Sequence, residues 1–250
     1  MELISAENGM SPAWSPDGQQ IAFLSNRAEG WDLYTMPAAG GEATRLTSGA
    51  TADDPAWSLD GHWIAIERNH RIEAISPDGS ERRVLVRDAS QPAWSPRQQL
   101  AFVRNRDLYV QEPDGTESLI LRDADQPHWS ADGETIVFAR RGIWELDVGS
   151  GRLRQRTQNP TDESPCIQFD GDIVFIRNAQ LMIIHPDGAM TDISYHPSPA
   201  GAPAPHPLEI DTVAYQLHDG GNWDVVTASL EHGNVRKLTR ATWTSWNARL

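Results

Sequence analysis

Short apolar runs recur along the chain at a nearly constant interval: IAFL (21–24), IAI (64–66), LAFV (100–103), IVFA (136–139) and IVFI (173–176). None alternates with polar residues, which suits strands covered on both faces. A mixed apolar and turn-forming octet precedes each run: SPAWSPDG (11–18), DPAWSLDG (54–61), QPAWSPRQ (91–98), QPHWSADG (126–133) and SPCIQFDG (164–171). Trp14, Trp57, Trp94, Trp129 and Ile167 mark the repeat with spacings of 43, 37, 35 and 38 residues. A period of this size means stacked supersecondary units.

Each part of the octet has a physical role. Proline is tolerated at the first position of a strand, and tryptophan fills the space between two sheets. Asp-Gly makes a tight hairpin in which glycine takes the positive φ. A second strand pair follows, as in DLYTM (32–36) with ATRLT (43–47) and DLYV (107–110) with SLIL (118–121), while PDGS (77–80), PDGT (113–116) and PDGA (186–189) form hairpin turns. A sixth unit emerges by alignment of VAY (213–215), DVVTA (224–228) and VRKLT (235–239), and counting back puts His206 at the tryptophan's place. The pattern predicts an all-β, six-bladed propeller of four-stranded antiparallel blades. One domain over 1–250 is expected, with blades at about 11–47, 54–87, 91–122, 126–157, 164–194 and 204–239. Residues 2–5 are expected to form an outer strand that closes the ring, and HPSPAGAPAPHP (196–207) reads as a polyproline-like loop that cannot fold as strand. TWTSWNARL (242–250), with Trp246, looks like the start of a further inner strand that either caps the ring or continues into a longer chain.

The unit P-x-W-S-x-D-G, then I-A-F, S-x-R, D-L-Y and L-T, resembles the TolB-type (WD-like) propeller repeat. Blade 1 matches it almost fully through Trp14, Ser15, Asp17, Gly18, Arg27, Asp32, Tyr34, Leu46 and Thr47. That repeat occurs in the periplasmic TolB protein and in the lid domain of prolyl-oligopeptidase-type and tricorn-type peptidases. The resemblance implies the fold and leaves the activity open, because one fold hosts many functions.

Composition narrows the classes. The chain is 39% hydrophobic and 22% charged, with 19 glycines and 17 prolines, as expected of a turn-rich globular domain. A net charge of −14, from 21 basic and 35 acidic residues, disfavours nucleic-acid binding, which needs clustered positive charge. No apolar run approaches a membrane span. Met1–Ser15 lacks a basic-plus-apolar leader, so the cytoplasm is expected, or the periplasm if a leader was removed. The single Cys166 excludes an intramolecular disulfide framework.

Strand polarity assigns the faces. The connections leading into each inner strand share a rim with the loops between second and third strands, and the Asp-Gly turns share the opposite rim. Asp53, Asp54, Asp125, Asp162 and Glu163, with Asp88 close by, crowd the first rim, where Arg68, Arg104, Arg140 and Arg177 also arrive. One reading is an acidic funnel for a cation or basic peptide; the other is that these charges pair with one another and with loop amides. On the second reading Asp53, Asp54 and Glu163 form the unpaired surplus. Trp31 and Trp223 occupy the two long loops on this rim, as anchors over the ring seam or as a clamp on a sugar or peptide. The place between proline and tryptophan, Ala13, Ala56 and Ala93 in blades 1–3, becomes His128 and Cys166 in blades 4 and 5, with His206 in or next to it in blade 6. These three are candidate ligands for a divalent metal such as zinc or copper.

The chain has no G-x-S-x-G elbow, Gly-rich phosphate loop, H-E-x-x-H or C-x-x-C. The expectation is a non-catalytic binding or scaffolding propeller that engages a peptide or partner protein at the channel rim. The alternatives are a metal-dependent lyase or hydrolase at the channel mouth, through His128 or His206, and the lid of a larger peptidase.

Overall fold

The computed structural model describes residues 8–28, 30–49, 52–193, 198–219 and 221–239, and consists of six four-stranded antiparallel sheets with no helix among them. Blade 1 comprises β1 (Gly9–Trp14), β2 (Gln20–Ala28), β3 (Gly30–Pro37) and β4 (Thr44–Arg45). Blade 2 comprises β5 (Ala52–Trp57), β6 (Ile64–Arg68), β7 (Arg71–Ile75) and β8 (Arg82–Arg87). Blade 3 has β9 (Ser90–Trp94), β10 (Leu100–Arg104), β11 (Asp107–Gln111) and β12 (Glu117–Leu121); blade 4 has β13 (Asp125–Trp129), β14 (Thr135–Ala139), β15 (Ile143–Asp147) and β16 (Leu153–Gln155). Blade 5 has β17 (Asp162–Ile167), β18 (Ile173–Arg177), β19 (Gln180–Ile184) and β20 (Met190–Asp192); blade 6 has β21 (Ala200–Pro205), β22 (Thr212–Asp219), β23 (Asn222–Ser229) and β24 (Val235–Lys237). The expected closing strand at 2–5, His196 and the segment 242–250 lie outside the described residues.

The expectation that 196–207 cannot be strand is corrected: its second half is β21, the inner strand of blade 6. The reason is general to all six inner strands. Each carries a bulge at its X-Pro step, where the register with the second strand shifts. An inner strand is an edge strand, so the missing proline donor falls on the side that has no ladder partner. Proline therefore sits inside the strand rather than at its first position. The residues before it, Ser11, Asp54, Gln91, Gln126, Ser164 and Ala202, all take a left-handed φ between 45° and 54°. That is a costly conformation for a non-glycine residue and doubly so before proline, yet it is repeated in every blade.

The core is a set of six clusters, one between each pair of neighbouring blades. Phe23, Phe102, Phe138 and Phe175 stand at the same place in four second strands and are fully buried. The cluster that holds Ile21, Phe23, Tyr34 and Met36 with Ala214 and Val225 joins blade 1 to blade 6, so the described residues close the ring by packing. Trp14, Trp57, Trp94, Trp129 and Ile167 each belong to a different one of these clusters. The D-L-Y and L-T signatures meet inside a blade: Thr47 Oγ1 donates to Asp32 and accepts from the Leu33 amide, at 3.0 and 2.9 Å. Thr239, Asp224 and Val225 repeat that pattern in blade 6, with Lys237 as the basic partner.

Turn chemistry supports the same repeat. In the Asp-Gly turns the motif serine donates to the aspartate, as Ser15 does to Asp17 at 2.6 Å and Ser58 to Asp60 at 2.6 Å. The turns at Asn69–His70, Asn105–Arg106 and Asn178–Ala179 have two successive positive φ values, which suits tight hairpins between twisted strands.

Candidate functional site

The six pre-proline residues form one ring at the rim where inner strands begin. Their left-handed backbones leave amides that neighbouring side chains satisfy in sequence around the channel. The Glu67 carboxylate accepts from the Gln91 amide. Gln91 Oε1 accepts from the Gln126 amide at 2.8 Å, and Gln126 Oε1 from the Ser164 amide at 2.8 Å. On the far side Gln216 Oε1 accepts from the Ser11 amide at 3.0 Å. A cavity of about 150 Å³ lies within this ring, bounded inward by the repeat prolines.

Asp54 is the one acidic member of the ring. Its neighbour Asp53 is paired directly with Glu67 across β5 and β6, and Asp53 Oδ1 accepts from the Asp54 amide at 3.0 Å. Like charges directly opposite on two strands destabilise a sheet. Desolvation at the mouth, then the charges of Asp53 and Glu67, push the Asp54 carboxyl up to about 7. Desolvation and Asp53 also raise Glu67, against His70 and the Gln91 amide. Among the described residues, no arginine or lysine pairs with Asp53, Asp54 or Glu67.

The other expected rim residues go elsewhere. Arg177 holds the buried Asp162 in a two-pronged pair at 2.6 and 2.7 Å. Asp125 lies beside Asp123, with Arg106 at 3.9 Å, and desolvation raises its carboxyl. Glu163 is exposed and lies in blade 5, with no ion pair among the described residues. Arg68 reaches the Ser48 carbonyl and Glu73, Arg104 reaches the Arg87 carbonyl and Glu117, and Arg140 stacks over Trp144. The rim arginines are thus engaged: two by carboxylates other than the rim ones, one by the rim residue Asp162 and one by an indole. Trp31 packs against the cluster between blades 1 and 2 that holds Leu24, Leu33 and Ile66, whereas Trp223 lies edge-on to His218 with centroids 5.1 Å apart.

The three candidate metal ligands occupy two different places in the repeat. His128 pairs with Val137 and Cys166 with Val174, as Ala13 does with Ala22, but the blade-6 counterpart paired with Ala214 is Ala204. His206 is neither at that place nor at the tryptophan's, which Pro205 takes; its amide donates to the Thr212 carbonyl as the Ser15 amide does to Gln20. His206 is the counterpart of the motif serine, and its Nδ1 accepts from the Leu208 and Glu209 amides. Cys166 Sγ donates to the Pro203 carbonyl at 2.8 Å, and desolvation pushes the thiol up to about 12. Desolvation pushes His128 down to about 4. The group of potential ligand atoms within 4.8 Å of one another among the described residues is a different one, Asp211, Glu231 and His232. There the Asp211 carboxylate already accepts from Ser229 Oγ and the Glu231 amide, at 2.8 and 2.6 Å.

Glu67 was missed in the sequence, although a signal was present. It is the one charged residue at the fourth place of the second-strand run, where the other blades have Leu24, Val103, Ala139, Ile176 and Gln216.

Superposition on known structures decides the architecture: TolB from Acinetobacter baumannii matches 93% of this chain and 66% of that one, with a TM-score of 0.71 and 16% identity. The fold is a six-bladed β-propeller similar to that of TolB. A family model for the lipoprotein LpqB β-propeller domain matches residues 4–96 of this chain. A TolB homologue from Chlorobium luteolum is 33% identical over 157 residues, 55% of this chain. Dipeptidyl-peptidase 5 from Porphyromonas gingivalis is 27% identical over 168 residues, 60% of the chain. The match spans only 36% and 21% of the lengths of these two relatives.

Proposed function

We propose that this propeller is a binding module that receives a basic segment of a peptide or partner protein at the mouth beside Asp53, Asp54 and Glu67. The observation that supports this most is the cross-strand pairing of Asp53 with Glu67 beside Asp54, without an arginine or lysine partner among the described residues. Folding bears the repulsion, and a lysine, arginine or amino terminus entering the ring would relieve it. The carboxamides of Gln91 and Gln126 and the hydroxyl of Ser164 line the same cavity and add hydrogen-bonding groups for a main chain.

The sequence match to a dipeptidyl-peptidase favours a related second reading, in which the propeller belongs to a larger peptidase and the same mouth meets its peptide substrate. The lyase reading needs convergent histidines, and His128 and His206 stand at different places of the repeat.

Fluorescence anisotropy with a labelled arginine-rich peptide tests the proposal. Binding should weaken at least tenfold in a protein with Asp53→Ala and Asp54→Ala, and should weaken with added salt. Unchanged affinity in that variant, with its fold intact by circular dichroism, would count against the acidic mouth.

A further inference from the structure

The opposite mouth has a different chemistry and carries a separate inference. The residue after the motif serine is Pro16, Leu59, Pro96, Ala131, Phe169 and Pro207 in the six blades, and together these surround a cavity of about 340 Å³. Leu59 and Phe169 are 55% and 52% exposed, and Leu208, next to Pro207, and Ile210, whose carbonyl accepts from Gln168 Nε2, are 64% and 50% exposed. Exposed apolar side chains gathered around one opening mark a contact surface rather than ordinary scatter. The inner wall includes the indoles of Trp14, Trp57, Trp94 and Trp129, with Ile167 in the fifth place.

Among the described residues, no aspartate, glutamate, lysine or arginine lines this chamber, in a chain that is 22% charged and carries −14 overall. The wedge role of the tryptophans between blades explains their presence, but not the open chamber they leave or its lack of charge. A charged ligand there would lose its hydration with no counter-charge in return, whereas an apolar one would lose little. The volume falls in the range of small-molecule sites, which are mostly apolar with a few fixed polar groups. His128 lines both this chamber and the acidic cavity beyond the proline ring. Its Nδ1 faces the Ile167 amide at 3.4 Å, so the neutral ring keeps its proton on Nε2 as a donor.

We infer that this chamber is a second ligand site, selective for an uncharged aromatic small molecule. It is independent of the acidic mouth, since none of the residues that define one site's charge lines the other.

N-phenyl-1-naphthylamine, an uncharged fluorescent probe, tests the inference directly. It should bind saturably with one-to-one stoichiometry and quench tryptophan emission, and a naphthalene sulfonate of similar size should bind at least tenfold more weakly. Ala56→Phe and, separately, Ala93→Leu place bulk on the channel wall and should each weaken the probe at least tenfold. The comparison between neutral and sulfonated probes needs no variant, so it stands even where a substitution prevents folding. Equal affinity for the two probes, no saturable binding, or binding untouched by both folded variants would overturn the inference. So would sedimentation showing a dimer that Leu59→Ser dissociates, because a second copy would then be what covers the apolar collar.

Discussion

The imidazole of His206 packs edge-on against the indole of Trp14, with ring centroids 4.4 Å apart and planes at 71°, and so ties the sixth blade to the first. The Trp14 Nε1 donates to the Ala204 carbonyl at 2.9 Å across the same seam, as Trp57 donates to Ala13 one blade further on. Gly18 completes the fit: a Cβ there would stand 2.5 Å from two atoms of the His206 ring. Its φ of 69° adds a second reason for glycine.

Gly18→Ala should therefore destabilise the propeller by about 2–4 kcal/mol, combining the left-handed backbone with the overlap. At this chain length that lowers the melting temperature by about 2–4 °C per kcal/mol. His206→Ser restores the repeat's own residue and should recover part of the loss in the double variant. Thermal melts of the four proteins would show a coupling of about 1–2 kcal/mol. Strict additivity would mean that the two residues do not meet.

Asp54 gives a pH-dependent prediction. Its carboxyl lies at about 7 in the folded protein, above the ordinary range, so the folded state binds the extra proton between about pH 4 and pH 7. Stability from this group is fully present below that window and falls as the pH rises through it. Asp54→Asn should consequently melt higher than the parent at pH 8, by on the order of 2 kcal/mol once solvent at the rim is allowed for. The two proteins should converge at pH 4. A gain that is the same at both pH values would show that charge repulsion is not its origin.

The turn aspartates behave in the opposite sense. Asp132 accepts from Ser130 Oγ and the Glu134 amide, and the serine bond leads in holding its carboxyl below the ordinary range. Its contribution is present at neutral pH and lost as the pH falls through the acidic carboxylate range. Asp132→Ala should cost about 1 kcal/mol at pH 7. The cost should shrink towards pH 2, as read from urea midpoints; an undiminished cost in acid would refute the ionised turn.

The repeat made the blades legible because tryptophan, Asp-Gly and the apolar runs recur with the period of one sheet. VAY and VRKLT placed blade 6 even without its octet, since Thr239 and Asp224 rebuild the contact of Thr47 and Asp32. Prolines misled the reading at β21, where a bulged edge strand accepts what an ordinary strand would reject. The pairing of Asp53 with Glu67 was hidden for a related reason: a bulge shifts the register between Asp53 and Ala56, and spacing alone does not reveal it. Trp31 and Trp223 share a loop type in the sequence but pack differently: Trp31 joins the cluster between blades 1 and 2, whereas Trp223 meets its own cross-strand neighbour His218.

A crystal of the protein soaked with argininamide at pH 8 tests the acidic mouth most directly. The account predicts guanidinium density within hydrogen-bonding distance of the Asp54 carboxylate, inside the ring of pre-proline residues. Guanidinium density at other surface carboxylates, with the Asp54 mouth left unoccupied, would contradict it.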